Sequence, residues 1–134
     1  MTDLHLDATS RTPTISLDRT AGILVIAGES YPEDVSGFYA MLTTALTDYF
    51  AGGSTGLTTR IKLTYFNSSS ARALMELLGL LDDAAKHGST VAVEWFCDPD
   101  DDITREFAED IAAEIRHASV FILDLDAEQD DQPA

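Results

Sequence analysis

Apolar residues along this chain recur with two periods. From Thr14 to Asp18 they alternate, with Ile15 and Leu17 facing one way, and a continuous apolar run follows from Ile23 to Ala27. Alternation reads as a half-buried strand, and an unbroken run of that length reads as a strand buried on both faces. With Arg19-Thr20-Ala21-Gly22 as the turn, the two form an N-terminal hairpin. Leu57 to Phe66 is a third strand, with Ile61, Leu63 and Tyr65 on one face. Val91 to Cys97 is a fourth, β-branched and aromatic, and Ser119 to Leu125 a fifth.

Between these strands the apolar interval lengthens to three and four residues. Val35, Phe38, Leu42, Ala45, Leu46 and Tyr49 make the inward stripe of a first helix, announced by Gly28-Glu29-Ser30-Tyr31-Pro32-Glu33-Asp34 and stopped by Gly52-Gly53. Pro32 suits a first turn, where its missing N–H has no intrahelical role, and Glu33 and Asp34 complement the dipole. A second helix carries Ala71, Leu74, Met75, Leu77, Leu78, Leu81, Ala84 and Ala85 on one face. Gly88 stands just past it, where a left-handed cap needs no Cβ, and Lys86 and His87 suit its last turn. A third helix spans about Asp101 to His117, with Ile103, Phe107, Ile111 and Ile115 four residues apart. Residues 1 to 13 are polar and read as irregular. The order β-β-α-β-α-β-α-β predicts an α/β fold with a mixed, mostly parallel five-stranded sheet packed by helices. Residues 1–126 are expected to form one domain, and 127–134 an acidic, solvated tail.

Charge narrows the function classes. With 8 basic against 24 acidic residues the net charge is −16, a field that repels phosphate backbones and anionic lipid. Nucleic acid and membrane surfaces are therefore poor partners, whereas a basic patch on a protein would be attracted. Cys97 is the single cysteine, so no intrachain disulfide can form. The N-terminal residues lack a signal-peptide pattern and no apolar run approaches a membrane span, so a cytoplasmic protein is expected.

Against that acidic background the start of the second helix stands out. Asn67-Ser68-Ser69-Ser70 crowds the strand-to-helix turn, and the first turn holds Arg72 but no Asp or Glu. A helix start offers unpaired N–H groups and partial positive charge, which suit an anion, so a serine here can carry a phosphate at little electrostatic cost. The plainer reading is that Ser68 or Ser69 is only an N-cap.

Other candidate chemistry falls to simpler readings. Asp98, Asp100, Asp102, Glu106 and Glu109 have a calcium-loop spacing, but Ile103 occupies the position that requires Gly, and the run reads as an acidic helix start. His5, His87 and His117 pair with no nucleophile, and neither phosphate-binding nor nucleophile-elbow motifs occur. Trp95 and Phe96 read as strand core and sheet edge, and Tyr31 as a helix approach or an exposed interface residue. No metal, no cofactor and no enzyme activity is expected.

Taken together, Arg11-Thr12-Pro13, Gly28-Glu29-Ser30-Tyr31-Pro32-Glu33 and Tyr65-Phe66-Asn67-Ser68-Ser69-Ser70 resemble the SiaC family of bacterial regulatory phosphoproteins, over about Leu4 to Asp124. The resemblance implies a STAS-like fold and a partner-switching protein. It implies a dedicated protein kinase that phosphorylates the hydroxyl after the motif's Asn, here Ser68, and a PP2C-like phosphatase that reverses it. The unphosphorylated form would bind and activate a target such as a diguanylate cyclase, promoting cyclic-di-GMP signalling and biofilm. Serine stands where the family's acceptor is threonine; it keeps the nucleophilic hydroxyl, though a kinase selecting threonine would use it less efficiently. Asn67, Ser69, Ser70, Arg72 and Tyr31 are the expected partner-binding residues around Ser68. The alternative is a module binding a nucleotide or other anion at the helix start after Ser68.

Overall fold

The computed structural model describes residues 3–53 and 56–125; the expected acidic tail at 127–134 lies outside them. The elements are β1 (Leu4–Leu6), β2 (Thr14–Asp18), β3 (Ile23–Ser30), α1 (Val35–Ala51), β4 (Gly56–Phe66), α2 (Ser68–Lys86), β5 (Thr90–Cys97), α3 (Asp102–Glu114) and β6 (Ser119–Asp124). The strands form one sheet in the order β1-β2-β3-β4-β5-β6. β1, β2 and β3 pair antiparallel, while β3, β4, β5 and β6 pair parallel.

Spatial order equals chain order, so the three right-handed crossovers step the same way and lay α1, α2 and α3 on one face of the sheet. Burial follows from that layering. Leu24, Ile26, Ile61, Val93 and Trp95 lie beneath the helices at 0% exposure. Their alternates Val25, Arg60 and Glu94 lie in register on the open face and stay partly exposed. Ile23–Ala27 is thus covered on one face only, not both. On the open face Arg60 pairs with Glu94 at 3.0 Å, and the Lys62 ammonium sits 5.6 Å from the Phe96 ring centre. One core joins sheet and helices, and Leu74, Leu77, Leu78 and Leu81 of α2 are all sealed inside it. Each such leucine stabilises the fold by about 1.5–3 kcal/mol relative to an exposed one.

Several expectations change. The sheet has six strands rather than five, because Leu4–Leu6 adds β1 to β2 within the segment read as irregular. A three-residue strand is too short for its periodicity to register. Gly28, Glu29 and Ser30 belong to β3, not to a helix start, and α1 begins at Val35 with Asp34 as its N-cap. Pro32 therefore lies in the connection, and α1 has no acidic residue in its first turn. Its buried residues are Tyr39, Leu42, Leu46 and Tyr49, with Phe38 at the margin.

Three residues assigned to inward faces are instead exposed: Tyr65 at 52%, Met75 at 54% and Ile103 at 82%. Met75 and Ile103 lie at the edges of their stripes, where the period of 3.6 drifts off the core. Tyr65 has another cause. The β3–β4 register skips Thr64, pairing Gly28 with Leu63 and Glu29 with Tyr65, and the Thr64 hydroxyl donates to the Gly28 carbonyl at 3.2 Å. A bulge of this kind resets the alternation, turning Tyr65 outward and Phe66 inward.

Candidate functional site

The carboxyl ends of β3 and β4 bring the sequence motifs together. Gly28, at φ 118°, has its missing Cβ position only 3.6 Å from the Pro13 Cα, so the loop before β2 packs directly on β3. The Tyr31 N–H donates to the Arg11 carbonyl at 2.7 Å, and the Arg11 guanidinium pairs with Glu33 at 2.7 Å. The Tyr31 and Tyr65 rings meet edge to face at 5.6 Å. The Asn67 N–H then donates to the Ser30 carbonyl at 3.2 Å, joining the end of β3 to the start of α2.

Asn67, not a serine, is the N-cap of α2: its side-chain oxygen accepts the Ser70 N–H at 2.9 Å, and its carbonyl accepts that of Ala71 at 2.9 Å. The N-cap reading of Ser68 or Ser69 is thereby corrected. With Asn67 at the cap, the three serines are the first three helical residues, rotated about 100° apart. Ser68 and Ser69 are exposed, whereas Ser70 is at 0% exposure. Ser70 was expected on the partner surface and instead faces the core, so it cannot touch a partner directly. Its hydroxyl lies 2.9 Å from the Ser30 hydroxyl, which lies 2.7 Å from the Tyr39 hydroxyl. Burial raises the Tyr39 phenol, opposed by its bond to Ser30, so the hydroxyl stays protonated at neutral pH. The chain β3–α1–α2 is thus tied by three buried hydroxyls beneath the exposed turn. Sequence reasoning missed Tyr39 and Ser30, although Tyr39 continues the spacing of Leu42, Leu46 and Tyr49.

Ser68 sits between two open recesses. One, of about 450 Å³, is lined by Glu33, Asp34, Val35, Ser36, Ser69 and Arg72 along with Ser68 itself. The other, of about 510 Å³, runs along α2 past Ala71, Arg72 and Met75. Arg72 lines both and has no ion-pair partner among the described residues. Glu33 is held by Arg11, and the Asp34 carboxylate accepts the Gly37 N–H at 3.0 Å. Cys97 lies apart in β5, where burial pushes its thiol up, away from a reactive thiolate. No group of three or more His, Cys, Asp or Glu among the described residues is placed to hold a metal ion.

The sequence profile of the SiaC family regulatory phosphoproteins matches residues 6–125. The chain belongs to the SiaC family. An uncharacterized protein of Pseudomonas aeruginosa (strain UCBPP-PA14) is 34% identical over 110 residues, 82% of this chain and 87% of that protein. The fold is that of the family's solved members. The crystal structure of apo-SiaC from Pseudomonas aeruginosa superposes with a TM-score of 0.86 at 32% identity, covering 92% of this chain and 99% of that one. SiaC is similar too in its complex with the diguanylate cyclase SiaD, which it activates: TM-score 0.83, 30% identity, 90% of this chain and 99% of that one. The motif segments that converge at the α2 start here are those that carried the resemblance, and the chain is a SiaC family regulatory phosphoprotein. No helix among the described residues is long and apolar enough to cross a membrane.

Proposed function

We propose that this chain is a phosphorylation-controlled partner switch with Ser68 as the acceptor. The observation that carries the reading is the exposed Ser68 hydroxyl at the first position of α2, with the capping done by Asn67. The hydroxyl has no structural duty, so adding a group to it leaves the helix intact. A kinase would transfer the γ-phosphoryl of ATP to Ser68 Oγ: the Oγ–P bond forms, the bond to ADP breaks and the hydroxyl proton leaves. A PP2C-like phosphatase would return the serine and inorganic phosphate by hydrolysis.

Local electrostatics explains why such a phosphate switches binding rather than folding. It adds about −1.5 to −2 charge and three acceptor oxygens to an uncharged spot. The N–H groups of the first turn and Arg72 meet that charge from α2. A partner surface laid over Ser68, Ser69, Arg72 and Tyr31 would face desolvation of the phosphate. A change of about 3 kcal/mol in that contact alters affinity more than a hundredfold. By analogy with SiaC and SiaD, the target of the unphosphorylated form is a diguanylate cyclase.

The test compares wild type, Ser68→Ala and Ser68→Asp for binding to the cognate cyclase, with circular dichroism as folding control. Ser68→Ala should stay folded and bind constitutively, and Ser68→Asp should bind more weakly at an unchanged melting temperature. Equal affinities across the three proteins would remove the switch from Ser68. The anion-binding alternative uses the same helix start, but a free anion there lacks the covalent bond that would hold a phosphate on Ser68 against Glu33 and Asp34 in the same recess. Stabilisation of the unmodified protein by nucleotide or phosphate would favour that alternative.

A further inference from the structure

The face of α2 that begins at Ser68 does not end there. Ser68, Arg72, Met75 and Gly79 follow one another at intervals of four, three and four residues along one side of the helix, toward α3. There α2 and α3 stand apart, leaving a groove of about 420 Å³. Met75 and Gly79 form its α2 wall, and Phe107, Ile111 and Ile115 its α3 wall. Trp95 is packed edge to face on Phe107 at 5.8 Å beneath it. Met75 lines both this groove and the recess beside Ser68, so the two are one continuous surface. At the amino-terminal end of α3, beside this surface, Ile103 is 82% exposed.

The rim has one sign of charge. Asp110 and Glu114 project at the α3 edge without ion-pair partners among the described residues, and Asp82 stands at the α2 edge. Asp82 is occupied by the N–H groups of Arg116, His117 and Ala118 at 3.2, 2.6 and 2.9 Å, which pins the end of α3 to α2 and holds the groove's far end in place. The apolar residues of α3 recur every four positions, a spacing of about 6 Å along the axis, which matches successive side chains of a helix laid alongside.

We propose that the α2–α3 groove is the docking site for a cationic amphipathic helix of a protein partner, with apolar side chains against Phe107, Ile111 and Ile115 and Lys or Arg facing Asp110 and Glu114. Its continuity with the Ser68 surface rests on the switch reading above, whereas its shape and charge do not. Docking there would bring the partner over Met75 toward Ser68.

Gly79 supplies the test. A Cβ at Gly79 would meet no atom within 4 Å, so a larger side chain can enter the groove without disturbing α2. The probe is an amphipathic peptide of about 18 residues built from Leu, Ala and Lys, read by amide chemical shifts and calorimetry on the full chain. Wild type should bind it one-to-one, with the largest shifts at Gly79, Ile111 and Ile115. Gly79→Phe should weaken binding by about tenfold or more, and Gly79→Ala should leave it unchanged. The same peptide with Glu in place of Lys should not bind. The double variant Asp110→Lys/Glu114→Lys, confined to the exposed rim, should weaken binding as well and stands in should Gly79→Phe not fold. Equal binding by wild type and these variants, or shifts centred on the open sheet face, would reduce the attraction to the protein's net charge and overturn the proposal. Self-association of the wild type that Gly79→Phe abolishes would overturn it too, giving the groove to a second copy of the chain. Kinase and cyclase take no part, so failure here leaves the Ser68 reading standing.

Discussion

Three consecutive serines at one turn have two different fates, and a single hydrogen bond decides them. Once the Asn67 side chain caps the Ser70 N–H, helical rotation turns Ser70 onto Ser30 and Tyr39 and leaves Ser68 and Ser69 in solvent. This division predicts a contrast in stability. Asn67→Ala should destabilise the protein by about 0.5–2 kcal/mol through loss of the cap, whereas Ser68→Ala should stay within about 0.5 kcal/mol of wild type, as an exposed substitution away from a cap does. Urea denaturation of the two variants measures both. Comparable losses would return the capping role to Ser68. The cluster was legible in the sequence as a hydroxyl-rich turn lacking acids. Which hydroxyl is free was not, because it depends on a helix register set by one residue.

At the scale of elements, carboxylates do the joining between helices and loops. Asp82 near the end of α2 accepts the N–H groups of Arg116, His117 and Ala118, and Asp101 caps α3 by accepting the Thr104 N–H at 3.0 Å and hydroxyl at 2.6 Å. Partial burial would raise the Asp82 carboxyl, but those three donors, with the charge of His117, outweigh it and hold it below the usual range. The Thr104 hydroxyl and N–H do the same for Asp101, against a smaller cost of burial. A carboxyl whose folded pKa is depressed lends stability above its unfolded value of about 3.9, and that stability is lost as pH falls through the lower folded value. Thermal unfolding of the wild type should therefore drop steeply below about pH 4. Asp82→Asn should be less stable at neutral pH and show a flatter decline. An unchanged pH profile in that variant would mean that the Asp82 staple contributes nothing. Neither role was visible in the sequence, where Asp82 and Asp101 are two acids among 24.

Over the whole molecule the excess of acid acts against compactness. At −16 the folded surface repels itself, and the strain is relieved wherever counter-ions gather. Raising sodium chloride from about 0.05 to about 0.5 M shortens the Debye length from roughly 14 to roughly 4 Å and should raise the melting temperature. A fall over that range would show that the ion pairs Arg11–Glu33, Arg60–Glu94 and Arg105–Asp124 outweigh the general repulsion. Placing all three helices on one face also leaves a second broad surface, the open side of the sheet, where Arg60 pairs with Glu94 across neighbouring strands.

Periods of two and of about 3.6 were enough to order eight of the nine elements along the chain, because burial on one side imposes them wherever an element is long enough to repeat. The right-handed crossover then made the sheet largely parallel with no further information. Local periodicity does not register what happens where elements meet. A three-residue strand gains its partner only across the sheet, and a one-residue bulge at Thr64 turns Tyr65 outward. Met75, at the edge of its stripe, opens into the gap between α2 and α3 and stays exposed. The convergence of Arg11, Tyr31, Tyr65 and Ser68 at one end of the sheet is likewise a product of packing. The motifs named the turn; the cap and the bulge, which are contacts between distant segments, decided which side chains it presents.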